Sequence, residues 1–206
     1  LPAPYATESA TKRTDTKDWP EGATPKAPTG FTVTRFAEGL EHPRNTYVAP
    51  NNDVFVAESN TRNSADRITV LRDSDKDGKF ETRQVFLEDL KQPYGMLVLN
   101  NYFYVANTDG LYRYPYKAGD LKITGKGQKI VNLPAGGYNN HWTRNLIAAP
   151  DGSKIYISVG SASNNGEYGM DKEIRRAAIL EVTPDGTGEK IYAAGLRNPV
   201  GMAWNP

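Results

Sequence analysis

The chain contains two histidines, His42 and His141, and no cysteine, so few side chains could carry proton transfer or bind a transition metal. His141 follows a glycine-rich segment, PAGGYNN, and precedes an apolar run. A neutral imidazole accepts a proton, and a nearby guanidinium lowers its pKa and keeps it neutral. Arg197 and Asn198 offer a planar cation and an amide that can bind a carboxylate or an oxyanion. Each of these residues also has an ordinary structural interpretation, so their placement in the fold decides between the two.

A second candidate group lies in the segment DSDKDGKFE, from Asp73 to Glu81. Acidic side chains stand at loop positions 1, 3, 5 and 9 with a glycine at position 6, which is the oxygen-rich pattern of a calcium loop. The predicted ligands are Asp73, Asp75, Asp77, Lys79 and Glu81. Gln84 stands where an EF-hand has its glutamate, and the flanking runs are typical of strands. We therefore expect a structural Ca²⁺ in a hairpin loop; a solvated acidic turn is the alternative.

Four stretches of the sequence resemble one another, and they indicate how these residues are positioned. They are GLEHPRNTYVAPNNDVFVAES, DLKQPYGMLVLNNYFYVANT, HWTRNLIAAPDGSKIYISVG and GLRNPVGMAWNP. Each has a lead-in segment and an apolar strand, and the first three add a polar turn and a second strand ending in small residues. Pro43 and Pro93 are 50 residues apart, and Pro199 follows after 106, about two further periods. A period near 50 with about four strands per unit is typical of propeller blades.

The predicted fold is therefore an all-β, partial β-propeller of four-stranded antiparallel blades. Short runs such as FTVTRF (31–36) are bounded by turn residues, and the best helical candidate is the short segment 171–178. Residues 1–30, with five prolines, are predicted to form an extended N-terminal arm. Residues 31–206 are predicted to form about three blades and the first strand of a fourth, with the remainder of the propeller in the same or another chain. A β-sandwich is the alternative, but it does not predict the repeats.

Equivalent positions of radial repeats lie on one ring, at one mouth of the central channel. Here the ring is predicted to comprise His42–Arg44, Gln92–Tyr94, Asn140–Arg144 and Arg197–Asn198. A concave mouth with convergent polar groups is the usual place for a binding site. The repeats thus predict that His141 and Arg197 approach each other. The insertion at 162–177 is expected to form either a lid beside the mouth or surface decoration.

Composition excludes several other classes of function. Lys and Arg number 25 and Asp and Glu 24, for a net charge of +1, so no basic field is available for nucleic acid or an anionic membrane. No apolar run is long enough to span a bilayer. The absence of cysteine excludes thiolate metal sites, redox dithiols and disulfides.

With these segments in place, the sequence resembles the soluble pyrroloquinoline-quinone-dependent sugar dehydrogenases of the glucose and sorbosone dehydrogenase type. NHWTRNLIAAPDGSKIYISVGSASNN and GLRNPVGMAWNP carry most of the resemblance, which covers about residues 30–206. It implies a six-bladed propeller, of which this chain forms about half. It also implies that His141 is the general base, that Arg197 and Asn198 bind the quinone, and that Gln92 loosely matches a residue that positions the reactants. Asn140 stands where the family's glucose dehydrogenases usually have Asp.

The resemblance implies hydride transfer from an aldose, or a related sugar or alcohol, to pyrroloquinoline quinone, with electrons passed to an external acceptor. It also implies that the quinone's own Ca²⁺ and other quinone contacts lie beyond Pro206, and that the protein is periplasmic or secreted. A non-catalytic propeller that binds carbohydrate or a protein partner is the main alternative. A calcium-dependent propeller lactonase is a further alternative, but it needs acidic metal ligands on a ring that holds Asn, Gln, His and Arg.

Overall fold

The computed structural model describes residue 15 and residues 17–61 and 63–205 of the chain. Residues 1–14 and 16 of the predicted arm lie outside the described residues. The rest of the arm, residues 17–30, contains turns and neither strand nor helix. Among the described residues, the first strand begins at the first lead-in proline, Pro43.

In the described part of the chain, twelve strands form three four-stranded antiparallel sheets, each in sequence order. The first sheet contains β1 (Pro43–Val48), β2 (Val54–Glu58), β3 (Arg67–Arg72) and β4 (Thr82–Leu87). The second contains β5 (Gly95–Leu99), β6 (Tyr102–Asn107), β7 (Gly110–Pro115) and β8 (Gln128–Asn132). The third contains β9 (Leu146–Ala148), β10 (Ile155–Val159), β11 (Ala178–Val182) and β12 (Lys190–Ala193). A short 3-10 helix, Met170–Glu173, lies near the segment predicted to be helical.

The sheets pack face to face around a shared axis, and the alternation of side chains along the strands explains why. In β6, Phe103 and Val105 join the core between the first and second sheets, whereas Tyr104 and Ala106 join the core between the second and third. Successive residues of a strand point to opposite faces, so a strand with both faces apolar must lie between two neighbours. The first strands lie innermost, since β5 contacts both β1 and β9. Three sheets in this radial order confirm the predicted antiparallel blades and exclude the sandwich.

One hydrogen bond recurs at the same repeat position between successive blades. Asn45 Nδ2 donates to the Tyr94 carbonyl at 3.0 Å, and Asn145 Nδ2 donates to the Val200 carbonyl at 2.7 Å. In the second sheet the equivalent residue is Gly95, whose backbone N–H donates to the Arg144 carbonyl at 2.8 Å. A Cβ on Gly95 would lie 2.7 Å from that oxygen, so only glycine allows the backbone to come this close. The series fixes each blade against the lead-in of the next one.

Two runs that were predicted to be strands are not strands in the structure. Residues 31–36 (FTVTRF) and residues 201–205 have no strand assignment. Alternating apolar residues favour a strand only if a neighbour can take up the backbone hydrogen bonds, and no described strand pairs with either run. Residues 201–205 nevertheless lie beside the third sheet, since Trp204 Nε1 donates to the Ala148 carbonyl at 2.7 Å. Among the described residues no helix has the length and apolar character needed to cross a membrane.

Candidate functional site

Three chain segments meet beside His141. The N–H of Asn140 donates to the Ala162 carbonyl at 2.8 Å, and that of His141 donates to the Ser161 carbonyl at 3.3 Å. On the other side, the Ser161 N–H donates to the Arg197 carbonyl at 2.8 Å. The lead-in of the third sheet, the loop after β10 and the segment after β12 are thus held side by side, and His141 and Arg197 lie close together.

Gly160 makes this close meeting of segments possible. A Cβ at this position would lie 2.5 Å from the His141 Cβ and 2.7 Å from Asn198 Oδ1. The Asn198 Oδ1 atom is buried and accepts no hydrogen bond from a described residue. A buried acceptor without a donor is costly, so this atom is suited to accept a hydrogen bond from a bound molecule.

Hydrogen bonds assign the proton on the His141 ring. Ser161 Oγ donates to the Ser163 carbonyl at 2.6 Å, so its hydroxyl can only accept from the imidazole. The ring Nδ1 lies 2.8 Å from that Oγ and 3.1 Å from the Ser161 carbonyl oxygen. Both partners are acceptors, so Nδ1 carries the proton and Nε2 of the neutral ring carries the lone pair.

The surroundings of His141 keep the ring neutral. Burial lowers the pKa of His141 below its ordinary value, and the positive charge of Arg197 lowers the pKa further. The hydrogen bond to the Ser161 backbone and the charges of Glu173 and Glu167 oppose this shift without reversing it. The imidazole is therefore a base whose lone pair is available at neutral pH, as general-base catalysis requires.

Asn164, in the insertion, joins two of the predicted site residues. Its side-chain oxygen accepts from Asn140 Nδ2 at 2.9 Å and also from Arg197 Nη2. Arg197 Nε donates to the Asn164 backbone carbonyl at 3.0 Å. The Arg197 guanidinium is exposed and makes no ion pair with a carboxylate of any described residue, so its charge remains available to an anion.

The structure does not bring every predicted residue to this place. His141, Arg197, Asn198 and Asn140 converge, but Gln92 belongs to the lead-in of the second sheet. Its Nε2 donates to the Asn60 carbonyl at 3.0 Å, which ties it to the loop between β2 and β3. Among the described residues no hydrogen bond links Gln92 with His141, so its role remains a prediction from the resemblance.

The insertion at 162–177 packs beside the segment that carries His141. The Glu173 carboxylate accepts from the Ser163 N–H at 3.1 Å and from the Ser163 hydroxyl at 2.6 Å, which folds the insertion back on itself. The rings of Tyr138 and Tyr168 lie 4.8 Å apart and join the two segments. The insertion is thus a wall of the site, and it contributes Asn164.

The predicted calcium loop connects β3 and β4. Because successive strands run in opposite directions, this connection lies at the far end of the sheet from the lead-in segments and from His141. Ligand oxygens of Asp73, Asp75, Asp77 and Glu81 all lie within 4.8 Å of one another. The Lys79 side chain is cationic, with Nζ 3.9 Å from an Asp77 oxygen, so only its backbone carbonyl could bind a cation. The donor set suits a hard cation such as Ca²⁺, and its position suits a structural ion.

We expect Ca²⁺ to raise the melting temperature of the wild-type protein and to have little effect on the Asp75→Asn variant. An ion at about 100 times its Kd stabilises the folded state by about 2.7 kcal/mol. Calorimetry with and without Ca²⁺ measures the shift. The matched control is Asp120→Asn, because the Asp120 carboxylate accepts from the Lys117 N–H outside this cluster. Equal Ca²⁺ responses of the wild type and Asp75→Asn would contradict the site.

Two residues that shape the site, Ser161 and Asn164, were not among the predicted site residues. The repeats do not point to the first. A hydroxyl directly follows the second strand of the first two sheets, as Ser59 and Thr108, and each bonds to the lead-in of the next sheet. In the third sheet Gly160 stands at this position and Ser161 comes one residue later, so aligning the ends of the second strands points to Gly160. Asn164 lies in an insertion without a counterpart in the other repeats, so no such comparison was available.

Comparisons with known proteins agree with this architecture. The sequence model of the TrAA12-like family matches residues 25–206. An uncharacterised protein of Borreliella burgdorferi is 25% identical over 193 residues, which cover 89% of this chain and 47% of that protein. The chain thus spans about half the length of this relative.

Solved structures show the same fold. The pyrroloquinoline-quinone domain of pyranose dehydrogenase from Coprinopsis cinerea superposes with a TM-score of 0.64 at 18% identity, over 80% of this chain and 41% of that one. The quinone-bound form of aldose sugar dehydrogenase from Streptomyces coelicolor gives 0.57 at 19% identity, over 81% and 55%. A family AA12 carbohydrate-active enzyme from Trichoderma reesei gives 0.57 at 16% identity, over 74% and 38%. These likenesses support the β-propeller fold, and the chain covers about half of each structure or less.

Proposed function

Because this chain belongs to the TrAA12-like family, we propose that it supplies part of the active site of a quinoprotein oxidoreductase acting on an aldose or a related sugar or alcohol. The observation that carries the proposal is a neutral imidazole, fixed with its lone pair on Nε2, beside the exposed guanidinium of Arg197, which forms no ion pair with a described carboxylate. The complete propeller has six blades on this proposal, and the rest of it comes from the same or another chain. The protein is periplasmic or secreted and passes electrons to an external acceptor.

The residues present fit pyrroloquinoline quinone, which carries carboxylates and quinone oxygens. Arg197 offers an exposed guanidinium, and charge-assisted hydrogen bonds from arginine suit such oxygens. Asn198 adds a buried, unsatisfied amide oxygen that can accept from a ring N–H or hydroxyl donor. Asn140 lies next to them, although its Nδ2 is already bonded to Asn164. When bound, the quinone supplies the carbonyl carbon that accepts a hydride.

The chain's own part in the chemistry is to hold and move one proton. His141 Nε2 accepts the proton of the substrate hydroxyl while the C–H bond on the carbon that bears this hydroxyl is cleaved. The Nδ1–H bond to Ser161 holds the ring in orientation as it becomes imidazolium. Arg197 balances the negative charge that develops on the neighbouring acceptor oxygen. In the absence of substrate, burial and then the positive charge of the same arginine lower the pKa of His141, which favours the neutral ring.

The test is an absorbance titration of the complete protein with pyrroloquinoline quinone in the presence of Ca²⁺, followed by dye reduction with aldoses. We expect saturable binding and sugar-dependent reduction. Arg197→Gln should weaken quinone binding about 10- to 100-fold, as expected from losing a hydrogen bond to a charged group. Arg113→Gln is the matched control, because Arg113 bonds to Gln128 in the second sheet.

The alternatives predict different outcomes of the same experiment. A non-catalytic propeller would bind sugar or a protein partner without a change in the quinone spectrum. A calcium-dependent lactonase would hydrolyse a sugar lactone with no quinone present. Either outcome would contradict the proposed oxidoreductase.

A further inference from the structure

Arg144 is fully buried, with 0% of its surface exposed. Both Nη atoms of its guanidinium donate to acceptors of one segment, whereas the buried Nε has no partner among the described residues. Nη1 donates to the carbonyls of His141 at 2.8 Å and of Thr143 at 3.0 Å. Nη2 donates to the Pro134 carbonyl at 2.8 Å and to Asn139 Oδ1 at 3.2 Å. All four acceptors lie between residues 134 and 143, the segment that carries His141.

A second guanidinium shares one of these acceptors. Arg176 Nη1 donates to the same Asn139 Oδ1 at 2.6 Å, and its Nη2 donates to the Gly136 carbonyl at 3.3 Å. Neither arginine forms an ion pair with a carboxylate of a described residue. Burial lowers the pKa of Arg144 to about 9, helped by the charge of Arg176. Burial also lowers the pKa of Arg176, and the charge of Glu173 opposes that shift. Two buried cations that form no ion pair with a described carboxylate are a poor way to stabilise a fold, so their hydrogen bonds need another explanation.

The shape of the 134–143 segment provides that reason. It contains neither strand nor helix, and it includes Gly136 and Gly137, the latter with φ of +65°. A glycine-rich segment outside strands and helices can adopt many backbone conformations. The planar guanidinium of Arg144, whose donors point in fixed directions, can hold the 134–143 segment in one of them by bonding to its acceptors from the inside. One of the bonds goes to the backbone of His141 itself.

We propose that Arg144 is a positioning residue that fixes the main chain of His141, so that the ring keeps Nδ1 on Ser161 and leaves Nε2 as the base. The importance of this positioning for catalysis rests on the proposed function. The positioning itself does not need that function for its test, because the ring can be observed in the absence of quinone and sugar.

The experiment measures the His141 ring by ¹⁵N NMR in the complete protein, with the resonance identified by its loss in His141→Gln. In the wild type we expect a single neutral tautomer with the proton on Nδ1. Arg144→Lys retains the positive charge but cannot reach all four acceptors. We therefore expect a mixture of tautomers and a His141 pKa that rises towards about 6.5, the ordinary value. Arg197, Glu173 and Glu167, the charges that act on the ring, remain in place.

Arg83→Lys is the matched control, because Arg83 also donates to two backbone carbonyls, those of Glu38 and Gly39, far from His141 in the fold. Asn139→Ala, which removes the acceptor shared by both guanidiniums, is the second variant if Arg144→Lys does not fold. In the quinone-loaded protein we expect kcat to fall about 100-fold, as for a base misplaced by about 1 Å, with KM nearly unchanged. An unchanged tautomer and pKa in a folded variant would overturn the proposal, even if dehydrogenase activity were confirmed.

Discussion

Replacing His141 with Gln should lower kcat for sugar oxidation about 10²- to 10⁴-fold in the quinone-loaded protein, the usual contribution of a general base. Glutamine is close in size and can still hydrogen bond to Ser161, but it cannot accept the substrate proton. Steady-state dye reduction measures the loss. Lys117→Gln is the control, because Lys117 is exposed in the connection between β7 and β8, outside the lead-in segments. Equal activity of the two variants would remove His141 from the chemistry.

The pH dependence of the wild-type rate provides an independent check. The base must be unprotonated, and both burial and Arg197 lower the pKa of His141. The rate should therefore be constant at neutral pH and fall about tenfold per pH unit below the pKa, with a midpoint below about 6.5. Because the charge of Arg197 contributes to the shift, Arg197→Gln should move this midpoint upward. A wild-type midpoint above the ordinary value would contradict the assigned environment.

The repeats in the sequence were sufficient to predict the blades, for a physical reason. A four-stranded antiparallel sheet buried on both faces needs short apolar strands, tight turns and a constant length, and these constraints leave a visible period. The same reasoning placed His141 near Arg197, because equivalent lead-in segments must meet at one mouth. The resemblance to the quinone-dependent sugar dehydrogenases is confirmed at the level of the family by the match over residues 25–206. The roles of the individual site residues stay predictions.

The sequence could not show which residue orients the His141 side chain. Arg144 stands between a threonine and an asparagine, just before the apolar run that begins at Leu146, and an arginine in such a place is usually exposed. Its burial depends on how the 134–143 segment closes around it, which is a tertiary property. Residues 31–36 show the opposite error, because a strand was predicted there and none is formed. Their alternation is typical of a strand, but pattern alone says nothing about whether a partner strand is present.

The other large effect should come from the core that joins the first two blades. Phe103, in β6 of the second sheet, has 0% exposure and packs against Phe55 and Phe86 of the first. The ring centroids are 4.7 Å and 4.8 Å apart, respectively. Phe103→Ala should lower the free energy of unfolding by about 3–5 kcal/mol, because it loses buried apolar surface and leaves a cavity between two rigid sheets. Urea denaturation followed by circular dichroism measures the change.

Phe31→Ala is the control for this variant, because Phe31 is 75% exposed and precedes the first sheet. It should alter stability by no more than about 0.5 kcal/mol. A loss below about 1 kcal/mol for Phe103→Ala would mean that the blades do not share this core. Such a result would also contradict the hydrogen bond from Asn45 to the Tyr94 carbonyl, because this bond joins the same two sheets. The convergence of lead-in segments, which places Arg197 beside His141, depends on blades that stay packed around one axis.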